Sequence, residues 1–263
     1  MTTVPDFHDP NKKKDGRPFI VPVFIPHAGC PHRCAFCNQT LIANRSDQLP
    51  SKEDVAAEIS RFLTYRQPYH EAPQISFYGG TFLGIGKKNI LAFLGVATRF
   101  VTRGQASGIR FSTRPETITP VMLNLIQDFP VKTIELGVQS MDDEVLRLSQ
   151  RGHTTLDTRR AVERLKARDY AMGLQMMVGL PGQDESSAMK TAHEIASLLP
   201  DFVRIYPTIV LKNSHLEAWV QNGSYEPLDL ETAVNQVKNL YGFFRNKRIP
   251  VIRMGLQATE SLD

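Results

Sequence analysis

Three cysteines fall in one short run, Cys30-Pro-His-Arg-Cys34-Ala-Phe-Cys37, and they are the only 3 cysteines among 263 residues. The C-x3-C-x2-C spacing lets a single loop turn three thiolates toward one inorganic centre, and thiolate is the ligand that soft metals and iron–sulfur clusters take. A four-iron cubane has four corners, so three cysteines leave one iron open. Open positions are where metals do chemistry, whereas structural zinc and electron-transfer clusters are closed by four ligands. The same spacing suits a structural zinc held by the three cysteines plus His27 or His32 of the same loop. So few cysteines in a chain this long argue against a disulfide framework. They point to a reducing compartment and a cytoplasmic protein.

The elements that must position this loop read as an alternation of strands and helices. Phe19 to Ile25, between Pro18 and Pro26, reads as a buried strand that delivers the chain to the cysteines. Ser51 with Asp54 three residues on resembles a capping box, and Val55, Ile59, Phe62 and Leu63 follow as an apolar helical stripe. Further strands are expected at Gln74–Tyr78, Gly108–Ser112, Val131–Leu136, Ala171–Val178 and Phe202–Tyr206, with a last apolar run at Pro250–Met254. Helices are expected at Lys87–Val101, after Thr119-Pro120, at Asp142–Leu148, Leu156–Arg168, Glu185–Leu199 and Asp229–Asn246. Such alternation implies parallel strands with right-handed crossovers, so the expected fold class is α/β, a partial (β/α)6 TIM-like barrel. A doubly wound sheet is disfavoured because Gly84 and Gly86 follow a strand without the third glycine of a dinucleotide fingerprint. The chemistry then belongs at the carboxyl ends of the strands.

Composition fits one domain. Hydrophobic residues make up 41% of the sequence, aromatic residues 8% and charged residues 22%, which is the range of a packed globular protein. Residues 1–17 read as a polar amino-terminal segment and 18–263 as the core domain with a short carboxyl-terminal extension. The first segment carries Lys12, Lys13 and Lys14 without the apolar stretch of a signal peptide. Apolar runs such as Phe19–Pro26 are too short for the roughly 20 residues of a membrane span, so no membrane partner is expected. A net charge of +4 permits a nucleic-acid partner without requiring one. Besides the amino-terminal lysines, the basic residues open to that role are Arg151, Arg159, Arg160, Lys247 and Arg248.

The cysteine run, with Phe36 directly before the third cysteine, resembles the signature of the radical S-adenosylmethionine (SAM) enzymes. Tyr78-Gly79-Gly80-Thr81 resembles the family segment that holds the methionine amino group through backbone atoms, where a side chain would block close approach. Within the superfamily, Ser112-Thr-Arg-Pro-Glu116, Glu135-Leu-Gly-Val-Gln-Ser140, Arg151-Gly-His-Thr154 and Arg204-Ile-Tyr-Pro-Thr208 resemble the radical domain of the Elongator catalytic subunit and its bacterial relatives. Met176-Met-Val-Gly-Leu-Pro-Gly182 is closer to the oxygen-independent coproporphyrinogen oxidases. The resemblance implies a [4Fe-4S] cluster on Cys30, Cys34 and Cys37. It also implies reductive cleavage of SAM to a 5′-deoxyadenosyl radical that abstracts hydrogen from substrate, with reduced flavodoxin or ferredoxin as electron donor. It further implies that Gln139 meets the ribose hydroxyls, Arg151 the methionine carboxylate, and Phe36 and Met177 the adenine. Relatives commonly carry a glutamate where this chain has Ser112, so that ribose contact falls to Ser112 or to Glu116. Elongator-type enzymes also carry an acetyltransferase domain, for which 263 residues leave no room. The substrates in view are tRNA or another RNA, and a small molecule of the coproporphyrinogen kind; a zinc-stabilised RNA-binding protein without enzymatic activity is the reading outside catalysis.

Overall fold

A computed structural model of the protein describes residues 18–25, 29–38, 48–66 and 71–255. Seven strands form one sheet in the order β1 (Pro18–Ile25), β2 (Glu71–Gly79), β3 (Gly108–Thr113), β4 (Val131–Gln139), β5 (Ala171–Val178), β6 (Phe202–Pro207) and β7 (Val251–Met254). Every neighbouring pair is parallel. The sheet curls into a half-barrel, so the partial barrel expected from the alternation is present. A short seventh strand extends it.

The helices among the described residues are α1 (Lys52–Leu63), α2 (Lys87–Thr102), α3 (Pro120–Ile126), α4 (Asp143–Leu148), α5 (Thr155–Lys166), α6 (Glu185–Ser197), α7 (His215–Gln221) and α8 (Leu230–Asn246). Their starts follow from side-chain chemistry. Ser51 with Asp54 and Thr154 with Asp157 each form a reciprocal capping box, and Thr119 caps the helix that Pro120 opens. Each cap satisfies backbone N–H groups that a helix start otherwise leaves unpaired. The short α7 was not expected from periodicity; it is capped by Ser214, which accepts from the Glu217 N–H at 3.2 Å.

Successive strand side chains point to opposite faces of the sheet, and here the two faces differ in chemistry. Val21, Val23, Ile25, Ile75, Phe77, Ile109, Phe111, Ile134, Leu136, Leu174 and Ile205 join helix residues such as Ile59, Leu94 and Phe244 in one buried core. Within it Phe82 stacks between Phe77 and Phe111, with 4.8 Å between ring centroids on each side. That stack fixes the turn after β2. The other face is polar. Glu135 on β4 accepts from Arg110 Nε on β3 at 3.0 Å and pairs with Arg204 Nε on β6 at 2.7 Å. The Tyr78 hydroxyl on β2 accepts from Arg204 Nη2 at 2.8 Å and donates to Glu135 at 3.4 Å. One carboxylate thus ties four strands across the concave side.

Strand β4 runs three residues past its expected end at Leu136. A register shift lies between Gly137 and Gln139, which face Gln175 and Met176 of β5, so Val138 is skipped and Gln139 takes a left-handed φ of 69°. This bulge re-aims one polar side chain at the end of the strand.

Truncating the aromatic stack tests the core: Phe111→Ala is expected to cost about 3–5 kcal/mol in denaturant unfolding, while Val121→Ala, 75% exposed, should stay within about 0.5 kcal/mol. Equal effects of the two would contradict this packing.

Candidate functional site

The cysteine loop emerges from β1 and is held by backbone contacts more than by its side chains. Gly29 and Gly84 approach so closely that a Cβ on Gly84 would meet the Gly29 carbonyl oxygen at 2.0 Å. Ala35 donates its N–H to the Ser149 carbonyl at 2.9 Å, just beyond α4, and accepts from the Leu216 N–H at 3.0 Å, at the start of α7. Cys37 N–H closes a turn onto the Cys34 carbonyl at 3.0 Å. The Asn38 amide reaches the Lys212 carbonyl at 2.5 Å. These contacts tie the described part of the loop to the turn after β2, the end of α4 and the start of α7.

Cys30, Cys34 and Cys37 line one cavity of about 160 Å³ at the carboxyl ends of β2 to β5, together with Phe36, Gly79, Gly80, Thr81, Ser112, Gln139 and Arg151. Two of the expected site residues point elsewhere. Tyr78 turns its hydroxyl into the Glu135 network, and Met177 lies in a small apolar cluster with Val145 and Leu180, against which Phe36 packs. His27 lies outside the described residues, and His32 is an exposed loop residue at the cavity edge. Among the described residues no group of three or more His, Cys, Asp or Glu side chains stands at the spacing of a single bound metal ion.

Polar partners surround the sulfurs. Cys30 Sγ is 3.1 Å from Thr81 Oγ1. Cys34 Sγ accepts from Arg151 Nη1 at 3.3 Å and from Arg114 Nη1 at 3.6 Å. Burial, reinforced by Cys34 and Cys30, pushes the Cys37 thiol up to about 12. Burial holds the Cys37 thiol neutral until a cation sits beside it, so three cysteines in one cavity fit a polynuclear metal centre whose positive charge supplies that compensation.

The remaining walls suit an organic ligand. Gly79 has a φ of 106°, and a Cβ there would meet the Ile25 carbonyl oxygen at 2.3 Å, so only glycine fits; Gly80 N–H donates to that same carbonyl at 2.8 Å. Arg151 gives Nη2 to the Gly137 carbonyl at 2.7 Å, while its Nε is buried without a hydrogen-bond partner. A buried orphan donor of this kind is paired when an acceptor enters the cavity. Gln139 Oε1 accepts from Gln175 Nε2 at 3.0 Å.

Gln175 and Arg114 were not singled out from the sequence, although both line this cavity. Gln175 lies one β-bulge register from Gln139 in the neighbouring strand, and only the pairing of β4 with β5 reveals it. Glu116, considered as a stand-in for the missing ribose contact, is instead paired with Arg114 Nε and sits 3.7 Å from His153 Nδ1. Arg151 is buried, which removes it from any basic surface for RNA, and Arg159 is paired with Glu194. Among the described residues no helix is long and apolar enough to cross a membrane.

Residues 24–195 match the family model described as the Radical SAM superfamily, and residues 200–262 match a Radical SAM C-terminal domain. An uncharacterized protein of Methanocaldococcus jannaschii is 26% identical over 230 residues, 83% of this chain and 69% of its own length. A tRNA uridine(34) acetyltransferase of Dehalococcoides mccartyi is 25% identical over 75% of this chain and 50% of its own length. The solved structure of the Methanocaldococcus infernus Elp3 lacking its amino terminus superimposes with a TM-score of 0.69 at 21% identity, over 92% of this chain and 56% of that one. The chain thus spans about half the length of the acetyltransferase it matches.

His153 gives a pH test of this architecture. Burial, and then Arg151 and Arg114, lower it to about 2. An unfolded histidine takes up a proton near 6.5, so the unfolded state binds more protons between these values and stability falls as pH falls below 6.5. From pH 6.5 to 5 the protein is expected to lose about 1–2 kcal/mol more than His153→Gln. Parallel acid limbs in urea unfolding would contradict the buried neutral ring.

Proposed function

The chain belongs to the radical SAM superfamily and is a radical SAM enzyme, and from that premise we propose that Cys30, Cys34 and Cys37 hold one [4Fe-4S] cluster at which SAM is bound and cleaved. The observation that carries this reading is the convergence of three cysteines, with no fourth in the sequence, on one cavity at the carboxyl ends of the strands. When bound, the cluster supplies the electron that breaks a carbon–sulfur bond of SAM, giving methionine and a 5′-deoxyadenosyl radical that abstracts hydrogen from substrate. A low-potential donor such as reduced flavodoxin or ferredoxin provides that electron.

The chain's own residues bind, orient and exclude water. Backbone groups of Gly79, Gly80 and Thr81 would hold the methionine amino group, which the absence of side chains at the glycines favours. The unpartnered Nε of Arg151 supports a contact with the methionine carboxylate, because guanidinium and carboxylate match in charge and shape. Gln139, with Ser112 beside it on the cavity wall, would meet the ribose diol, and Gln175 holds the Gln139 amide in place. Phe36, on the cavity wall, suits the flat face of adenine, and Met177 packs in the apolar cluster behind it. Burial of this wall keeps water from the reactive carbon.

For the substrate we propose a tRNA, supported by similarity to the tRNA uridine(34) acetyltransferases. A small-molecule substrate is the rival, and one observation favours it. Arg151 is buried, so one of the basic residues considered for RNA is committed within the fold.

Anaerobic purification with iron, sulfide and zinc analysis tests the cluster: about four irons per chain are expected, and one zinc without iron after reconstitution would contradict the reading. With dithionite and SAM, release of 5′-deoxyadenosine is expected from the wild type and should vanish in Cys34→Ala. For the substrate, tRNA affinity should fall steeply with added salt; absence of binding even at low salt would defeat the RNA proposal and favour the small molecule.

A further inference from the structure

We propose that Arg114 sets the reduction potential of the cluster by donating a charged hydrogen bond to the sulfur of Cys34. The inference rests on the cluster reading above. Arg114 is 2% exposed by side chain, and each arm of its fork is engaged: Nε pairs with Glu116, Nη2 donates to the Arg151 carbonyl, and Nη1 points at Cys34 Sγ from 3.6 Å. Cys34 is the buried cysteine of the three and receives Arg151 Nη1 as well, at 3.3 Å. Cys30 Sγ lies 3.1 Å from the Thr81 hydroxyl, and both arginines also act on Cys37 through space. The sulfurs are therefore unequal, because Cys34 takes a direct hydrogen bond from each of the two guanidinium groups.

The physical consequence has a definite sign. One-electron reduction by an external low-potential donor adds a negative charge to the iron–sulfur unit and its thiolates. A guanidinium, which stays protonated, stabilises the reduced form more than the oxidised one and raises the potential. Hydrogen bonds to cluster sulfurs act in the same direction, and burial strengthens both because the local dielectric is low. Glu116 works against this by partly neutralising Arg114. The pair is a built counterpoise: Arg114 holds the potential up and Glu116 limits by how much. His153, 3.7 Å from Glu116, faces the same carboxylate but carries no charge in its buried site. Arg114 is thus a positioning and tuning residue whose action on substrate passes through the cluster ligand.

The alternative is a purely architectural arginine that closes the turn after β3. The two roles separate in an EPR-monitored potentiometric titration of reconstituted protein without SAM. Arg114→Gln is expected to shift the midpoint potential to a more negative value, and Glu116→Gln to a more positive one. An architectural role gives no such opposite pair of shifts. Unchanged potentials in both variants, with iron loading equal to wild type, would overturn the proposal. If Arg114→Gln does not take up a cluster, Glu116→Gln alone decides: a positive shift supports tuning, and an unchanged or negative potential refutes it. Failure of the wild type to bind iron would refute the underlying cluster reading, and iron analysis of the wild type reports that separately.

Discussion

Backbone contacts on three sides restrain the cysteine loop, and the site depends on that restraint. Gly29 lies against Gly84, while Ala35 is clamped between the Ser149 carbonyl and the Leu216 N–H. A loop with no ladder of its own would otherwise lose several residues' worth of conformational entropy on binding metal, at about 1–2 kcal/mol each. Here the backbone contacts to the turn after β2, to α4 and to α7 offset part of that cost. The clamps come from three separate parts of the sequence: the turn after β2, the end of α4 and the start of α7. Three thiols converge only because distant segments of the barrel meet around them.

The same barrel separates its two faces by charge. Outward strand residues are apolar and pack under helices, whereas the concave side carries Arg110, Glu135, Arg204 and Tyr78 in one hydrogen-bonded unit. A buried carboxylate shared by two arginines contributes little net stability over apolar packing, but loss of one partner leaves an uncompensated charge. Its value lies in fixing the relative positions of β2, β3, β4 and β6 beneath the cavity. Polar lining also keeps the concave side from filling with apolar side chains, as a closed barrel does. The cavity above it is walled by residues of β2, β3, β4 and β5.

Much of this was legible in the sequence where local chemistry decides the outcome. The caps at Ser51, Thr119 and Thr154 carry their own signals, and β5 was bounded correctly at Ala171 and Val178. Long-range geometry was not legible. The bulge that carries β4 through to Gln139 arises from pairing with β5, and nothing in Gly137-Val138-Gln139 announces it. The α7 helix spans 7 residues, too few to show a helical period, although Ser214 and Glu217 mark its start. The cysteines and glycines that line the cavity could be singled out because their spacing and chemistry are specific. Arg114 could not, because it reaches the cavity only through contact with Cys34, 80 residues away. Tyr78 illustrates the reverse case: its neighbours Gly79 and Gly80 line the cavity, while strand alternation turns its own side chain onto Glu135.

In the proposed site, three protein thiolates would leave one iron of a four-iron cluster open, and SAM would occupy it. EPR of the dithionite-reduced, reconstituted protein with and without SAM tests this most directly. Binding at the open iron is expected to change the g-values of the reduced cluster, and SAM labelled with a magnetic nucleus in its amino or carboxylate group should show hyperfine coupling to it. A cluster spectrum indifferent to SAM, with no coupling to the labelled methionine moiety, would contradict the account.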